Sequence, residues 1–509
     1  MNGEMIVKRI ISLALTLVLV LGIFSACSPR VEESIAPESK DEVSVETSEE
    51  IVDTRYKANV PDVDYEGEDI VILASYGTAG AVNPEYGGDG TTELVADVIN
   101  VAIDTRNFIV EEALGVDIVE MSIIDTDRMG GGSTFAKVQG AVNSSIYDFD
   151  MCSTSLFNLA ALGKSLYLED LMGLEYLHEL EEPWWHKYFT NEVKIMGSVY
   201  FASGDISYYN TNATAAILFN KELFSQYDIE DPYQVVRDKK WTLDKLATWQ
   251  KTVSIDEDNN GTINHLDKAT ISSSYDMIWA QFFSCGGRIV SKDENNNPIL
   301  SIYSERNDSV IEKIQDIMHN DNYIVYADEL GAYATTSVGA LVYDMFMSGR
   351  SMMHIGSVAT IDKIKDTPYD FGILPYPMFD ETQEDYYSFL NPWVGNAISI
   401  PWGMDDETLK MISIVMESMG AEGKNELTPQ FYEVALKRQN ARDDESQEML
   451  DIISATVGCD FGQLSNLAGY PSMLHQLINS EKGSFFSKYE ALKNKAEGEL
   501  KAIIDAYSK

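Results

Sequence analysis

Between Asp256 and Asp267 the chain reads D-E-D-N-N-G-T-I-N-H-L-D, with carboxylate or amide oxygens at its first, third and fifth positions. Oxygens at alternate positions of a tight loop face one point, and Gly261 at the sixth position permits the sharp turn. The carbonyl of Thr262, the side chain or a water at Asn264, and the carboxylate of Asp267 would complete a shell around Asp256, Asp258 and Asn260. Ca²⁺ accepts such oxygens at flexible geometry, whereas Mg²⁺ demands a stricter octahedron. Asp267 stands where Glu is usual and is too short to chelate as well, so a weaker site is expected. Every position is used, so a filled loop would be structural and leave no place for substrate. The same residues also suit a solvated Asx-rich turn without metal.

Little else has catalytic spacing. No HExxH, GxSxG or P-loop pattern occurs, and the six histidines are scattered. Acids are everywhere, so no pair is singled out for glycoside hydrolysis. Cys152, Cys285 and Cys459 are too far apart for a disulfide framework or a metal knuckle and read as small buried hydrophobes. A net charge of −45 excludes a nucleic-acid surface and disfavours docking on anionic lipid.

The 509 residues allow two to four domains, and 45% hydrophobic with 23% charged residues is the balance of a globular protein. Lys8 and Arg9 precede the apolar run Ile10 to Phe24, which is short for a span and shaped like a secretory signal. Met1 or Met5 is the start. Phe24-Ser25-Ala26-Cys27 resembles a lipobox, which would make residues 1–27 a lipoprotein signal with Cys27 lipidated; a cleaved signal without lipid is the alternative. Residues 28–65, rich in Glu, Ser, Val and Pro at their start, read as a disordered tether.

Ordered structure is expected from the strand Asp69–Leu73, followed by loops at Gly77 and Gly80. A helix over Glu93–Leu114 closed by Gly115 and a strand from Val116 follow, the strand–helix–strand order of an α/β lobe. Further strands are read at Tyr147–Met151, Ala215–Phe219 and Met352–Ile355. Helices are read at Leu156–Gly163, after Asn220, after the N-cap Thr242, and over Val310–Met318, Ala340–Phe346, Thr408–Met419, Pro429–Arg438 and Ser487–Tyr507. Adjacent Trp184 and Trp185 should face opposite ways, one inward and one outward. The stretch Asp370–Pro401 holds two apolar runs, Phe371–Leu374 and Ala397–Ile400, each stopped by proline. Between them Asn391-Pro392-Trp393-Val394-Gly395 presents a Trp on a turn, as suits a segment crossing between lobes.

These pieces, in this order, resemble the family 1 extracellular solute-binding proteins of ABC importers, the maltose-binding-protein-like group. The resemblance covers roughly 65–509. It is carried by Cys27, Gly204-Asp205, Phe219–Leu223, Trp241–Asp244, Phe346 with Gly349, Phe371–Pro377 and Asn391–Gly395. Tyr432–Lys437 and Ala441-Arg442-Asp443 look like the lipoprotein members of Firmicutes, implying a Gram-positive cell.

The resemblance implies an α/β, two-lobed periplasmic-binding-protein-like fold (type II) with a cleft between lobes joined by crossing hinge strands. It implies a first lobe of 66–170 and 325–390 and a second of 175–322 and 398–509. It places ligand contacts at Tyr76, Tyr208, Tyr209, Asn210, Ser357, Val358 and Trp393. Aromatic faces and amides there would suit a carbohydrate. Some relatives carry Trp where this chain has Val358, which weakens the case for a long glucan. The expected protein is a monomeric, non-enzymatic, lipid-anchored receptor on the outer face of the cell membrane. It would deliver sugar to ABC permease subunits. A secreted carbohydrate-active enzyme, or a surface sensor or adhesion module without transport, are the competing readings.

Overall fold

The computed structural model describes residues 55–77, 85–87, 97–294, 296–320, 322–335, 337–364, 367–437, 444–479 and 485–508. The signal-like stretch with Cys27, the tether up to residue 54, Gly80, the expected helix start at 93–96, Arg438 and the segment Ala441-Arg442-Asp443 lie outside these residues. In chain order the strands are β1 (Glu68–Tyr76), β2 (Val116–Ile124), β3 (Met151–Ser155), β4 (Ala215–Asn220), β5 (Ser254–Ile255), β6 (Lys268–Ser273), β7 (Val290–Lys292), β8 (Pro298–Leu300), β9 (Ile324–Tyr326), β10 (Ser351–Ser357), β11 (Phe371–Leu374), β12 (Ser388–Phe389), β13 (Asn396–Ser399) and β14 (Val457–Gly458).

Among the described residues two larger sheets stand beside the two-stranded pairs β12-β14 and β7-β8. The first runs β13-β3-β1-β2, with β1 parallel to both neighbours and β13 antiparallel to β3. The second runs β11-β4-β10-β6-β5, with β9 also paired to β6. Strands β3, β4 and β11 are buried along their whole length, so their runs need no alternation of apolar and polar residues. Local signals end the elements as the sequence leads one to expect. The Asn220 side chain accepts from the N–H of Leu223, and the Thr242 side chain accepts from that of Lys245. Gly115 (φ +63°) and Gly349 (φ +68°) take the left-handed conformation just past the helices Asp97–Leu114 and Val338–Met347.

The stretch Asp370–Pro401 does pass between sheets: β11 pairs with β4 in the second and β13 with β3 in the first. The lobe boundaries, however, differ from those expected. Residues 351–374 belong with the second sheet, not with 66–170, and β13 belongs with the first. Short apolar runs have the same pattern in either sheet, and only the ladder of N–H···O=C bonds selects the partner. The C-terminal part is also divided. Helix Asp406–Glu422 packs on helix Asp97–Leu114 beside the first sheet, whereas helix Asp444–Ala455 packs on β11.

Trp184 and Trp185 are both buried, at 2% exposure each, rather than one in and one out. They lie in a loop, so strand alternation does not apply, and the helix Asp406–Glu422 covers them. Trp185 Nε1 donates to Glu417 Oε2 at 2.8 Å. A Cβ at Gly204 would lie 2.3 Å from the Trp184 carbonyl, and one at Gly420 would lie 2.5 Å from the Trp184 ring. The two glycines make room for the pair.

Residues 55–65 are likewise not a loose tether but an extended arm on the body. Arg55 pairs with Glu422 and with Glu426, the latter at 2.6 Å. Tyr56 and Asn425 exchange two hydrogen bonds of 2.9 Å, and the N–H of Tyr65 donates to the Leu114 carbonyl. Main-chain groups of the arm thus find partners that its composition did not announce. Cys152, Cys285 and Cys459 are free and buried, as expected.

Candidate functional site

Two segments carry the chain between the sheets side by side. The first, 203–214, is bracketed by antiparallel bridges Ala202–Ile398 and Thr214–Leu390 to the second, 390–396. Between these bridges stand Tyr208, Tyr209 and Asn210 on one segment and the Trp393 turn on the other. Asn210 holds them together: its Oδ1 accepts from the N–H of Asn396 at 3.0 Å, and its Nδ2 donates to Ser203 Oγ at 2.7 Å.

Trp393 is 43% exposed, with Val394 (37%) and Met129 (55%) also open to solvent. Tyr209 is half-buried, and burial, with the nearby charge of Glu85, pushes its phenol up. Ser357 is half-buried at the end of β10. The other residues expected at the site are covered. Tyr208 packs its ring 5.6 Å from Phe431, and Val358 is buried with its N–H on the Thr214 carbonyl. Tyr76 is buried and donates to Glu120 Oε1 at 2.8 Å. The structure therefore leaves Trp393 open and Tyr209 and Ser357 half-buried, and buries Asn210 together with Tyr76, Tyr208 and Val358.

Sequence reasoning missed the charged floor of this region. Arg128, in the loop between β2 and the tri-glycine run Gly130–Gly132, is 3% exposed. Its Nε donates to the Trp393 carbonyl (2.9 Å), Nη1 to the Ser75 carbonyl (3.1 Å) and Nη2 to Asn396 Oδ1 (2.5 Å). Glu85 is fully buried; its Oε2 accepts from Ser207 Oγ (3.0 Å) and its Oε1 from Asn396 Nδ2 (3.3 Å). Burial first, and then the charge of Glu120, push the Glu85 carboxyl up to about 7, against relief from Ser207, Tyr86 and Arg128. Arg106, also buried, donates to the Ile206 carbonyl (2.5 Å), and burial brings its guanidinium down to about 10. The only hint in the sequence was charged residues beside glycine-rich turns at strand ends, a pattern shared by many loops.

At the Asp256–Asp267 loop, carboxylate oxygens of Asp256, Asp258 and Asp267 all lie within 4.8 Å of one another. Asp256 accepts from the N–H of Gly261 (2.8 Å), which holds its carboxyl below the usual range. Asp267, buried, accepts from the N–H groups of Glu257 (2.8 Å) and Asn264 (2.9 Å). Asn260 Oδ1 accepts from Thr262, and Asn264 Nδ2 donates to Asp258 at 3.4 Å. The loop joins β5 to β6 and so hangs between two strands.

No family model matches the chain, and no curated protein matches it in sequence. Solved structures do match. An ABC substrate-binding protein of Listeria monocytogenes, in complex with cycloalternan, is 14% identical over 86% of this chain and 99% of its own, with a TM-score of 0.51. The chain has the two-lobed, periplasmic-binding-protein-like fold. A cyclic α-maltosyl-1,6-maltose-binding protein of Arthrobacter globiformis is 13% identical over 86% of this chain and 99% of its own, with a TM-score of 0.52. A maltose-binding periplasmic protein of L. monocytogenes, solved with maltose, is 12% identical over 87% and 98%, with a TM-score of 0.51. No helix among the described residues is long and apolar enough to cross a membrane.

Proposed function

We propose that this chain is the solute-binding component of an ABC importer, capturing a carbohydrate, most simply an oligosaccharide, and handing it to permease subunits. The observation that carries the reading is Trp393, a 43% exposed indole set on a crossing segment among fixed amides. A flat apolar face suits the C–H side of a sugar ring, and half-buried Tyr209 on the neighbouring segment offers a hydroxyl, while Asn210 and Asn396, both buried, fix the two segments to each other. The structural neighbours solved with sugars support it. The reading is of a binding protein without catalysis, acting as a monomer outside the cell. It is held to the membrane by lipid on Cys27 rather than by a spanning helix.

Calorimetric titration of the chain from Ser28 against mono- and oligosaccharides tests it. One saturable glycan signal without turnover is expected. Trp393→Ala should weaken it at least tenfold, about 1.4 kcal/mol, while thermal unfolding stays near wild type because the ring is half open. Release of cleaved product would favour an enzyme, and silence across the panel would remove the carbohydrate reading.

We also propose that the Asp256–Asp267 loop takes Ca²⁺ as a structural ion, with Asp256, Asp258 and Asp267 as its carboxylates and Asn260, Thr262 and Asn264 completing the shell. With Ca²⁺ at about a hundred times its Kd, binding would add about 2.7 kcal/mol to stability. The unfolding midpoint should rise from EGTA to millimolar Ca²⁺, and Asp258→Asn should abolish the rise. An identical midpoint in both buffers would sink the idea.

A further inference from the structure

We propose that Arg128 is a positioning residue for the candidate ligand site: its guanidinium sets the pose of the Trp393 ring on the crossing segment. This rests on the reading of Trp393 as a ligand platform. The turn around Trp393 is closed by its own bonds. Asn391 Oδ1 accepts from the Trp393 N–H (3.0 Å), and the Asn391 carbonyl accepts from Val394 (3.2 Å) and Gly395 (2.7 Å). Those bonds shape the turn but do not orient it on the body. Arg128 does that from one side, through Nε on the Trp393 carbonyl (2.9 Å) and Nη2 toward the Val394 carbonyl (3.5 Å).

The same guanidinium reaches two further elements. Nη1 donates to the carbonyl and hydroxyl of Ser75 near the end of β1, and Nη2 to Asn396 Oδ1 at the start of β13. Asn396 in turn donates through its N–H to Asn210 and through Nδ2 to Glu85. Arg128 is itself anchored, because Ser155 Oγ donates to its carbonyl at 2.9 Å and Asn158 Oδ1 accepts from the N–H of Gly130 at 2.8 Å. A rigid planar fork with five donors can serve all these acceptors at once, whereas a lysine ammonium on a flexible stem cannot hold three in fixed directions. A site platform must be held to a few tenths of an ångström to bind well, so the fork is a determinant of affinity without touching ligand.

The test uses the full chain labelled with 5-fluorotryptophan. The resonance of Trp393 is assigned among the seven tryptophans by Trp393→Phe, and maltotetraose is the titrated probe. Arg128→Lys and Arg128→Gln should move and broaden the Trp393 resonance while the other six keep their positions. Either variant should weaken the probe about tenfold, with Lys no better than Gln, since geometry rather than charge is lost. A Trp393 resonance unmoved in both variants overturns the inference, whatever happens to binding. A probe signal absent already in the wild type, with the resonance still displaced by Arg128→Lys, supports the positioning and counts against the carbohydrate reading instead. General unfolding would shift all seven resonances. In that case Asn396→Ala, which removes one acceptor and leaves Arg128 in place, provides the decisive spectrum: movement confined to Trp393 supports the inference and no movement refutes it.

Discussion

Gly423→Ala is expected to destabilise the protein by about 3 kcal/mol, a large effect for one methyl group. Gly423 opens the π-helical turn Gly423–Leu427, and a Cβ there would lie 2.0 Å from the carbonyl oxygen of Asp205 and 2.8 Å from its carbon. Both are backbone atoms of the first crossing segment, so no rotamer change relieves the clash. The turn would have to retreat by about an ångström. Retreat would strain the Lys424–Asp205 ion pair (3.0 Å) and the bond from Thr428 Oγ1 to Asp205 Oδ1 (2.7 Å). It would also disturb the arm, since Arg55 and Tyr56 grip Glu422, Asn425 and Glu426. Thermal unfolding measures the loss. Gly498→Ala is the control: it lies exposed in helix Phe485–Tyr507 with nothing within 4 Å of its Cβ, and should raise stability by about 1 kcal/mol. Equal behaviour of the two variants would mean that the crossing is not tightly packed against the turn.

Stability should also fall as pH rises from about 4.5 to 7. Burial is the first cause pushing Glu85 and Glu417 up to about 7 and Asp460 up to about 6, while their unfolded values are ordinary carboxylate values. Between those limits the folded state binds more protons than the unfolded chain, so the slope of unfolding free energy with pH is negative. The stabilisation is fully present below the unfolded value and gone once pH passes the folded one. For Glu85 or Glu417 the difference is on the order of 3 kcal/mol across the window. Repulsion within a chain of net charge −45 acts in the same direction. Glu417→Gln isolates one contribution, because a neutral amide oxygen can still accept from Trp185 Nε1. Its midpoint should exceed wild type at pH 8 and match it near pH 5. A wild-type midpoint that is flat or rising over this range would contradict the assignment of these buried carboxyls.

Much of the molecule was legible in the sequence, for local reasons. Helix starts at Asn220 and Thr242 and helix ends at Gly115 and Gly349 follow from what one residue and its near neighbours can bond or adopt. The run Asp256–Asp267 was readable because spacing alone brings its carboxylates near one point. The proline-stopped runs at Phe371 and Ala397 marked a crossing because strands end where the N–H ladder fails. What was not legible depends on distant partners. Nothing local distinguishes the sheet that takes β10 and β11, since both sheets offer the same buried ladder. Both Trp184 and Trp185 could go inside only because glycines twenty residues and more away leave room. Arg128 looks like any loop arginine until Ser75, Trp393 and Asn396 are brought around it. By itself, then, the sequence determined the elements, their caps, the acidic loop and the α/β class, because those rest on neighbours along the chain. The tertiary structure alone decided lobe membership, the docked arm and the charged floor of the candidate site, because hydrogen-bond partners and burial are set by residues hundreds of positions apart.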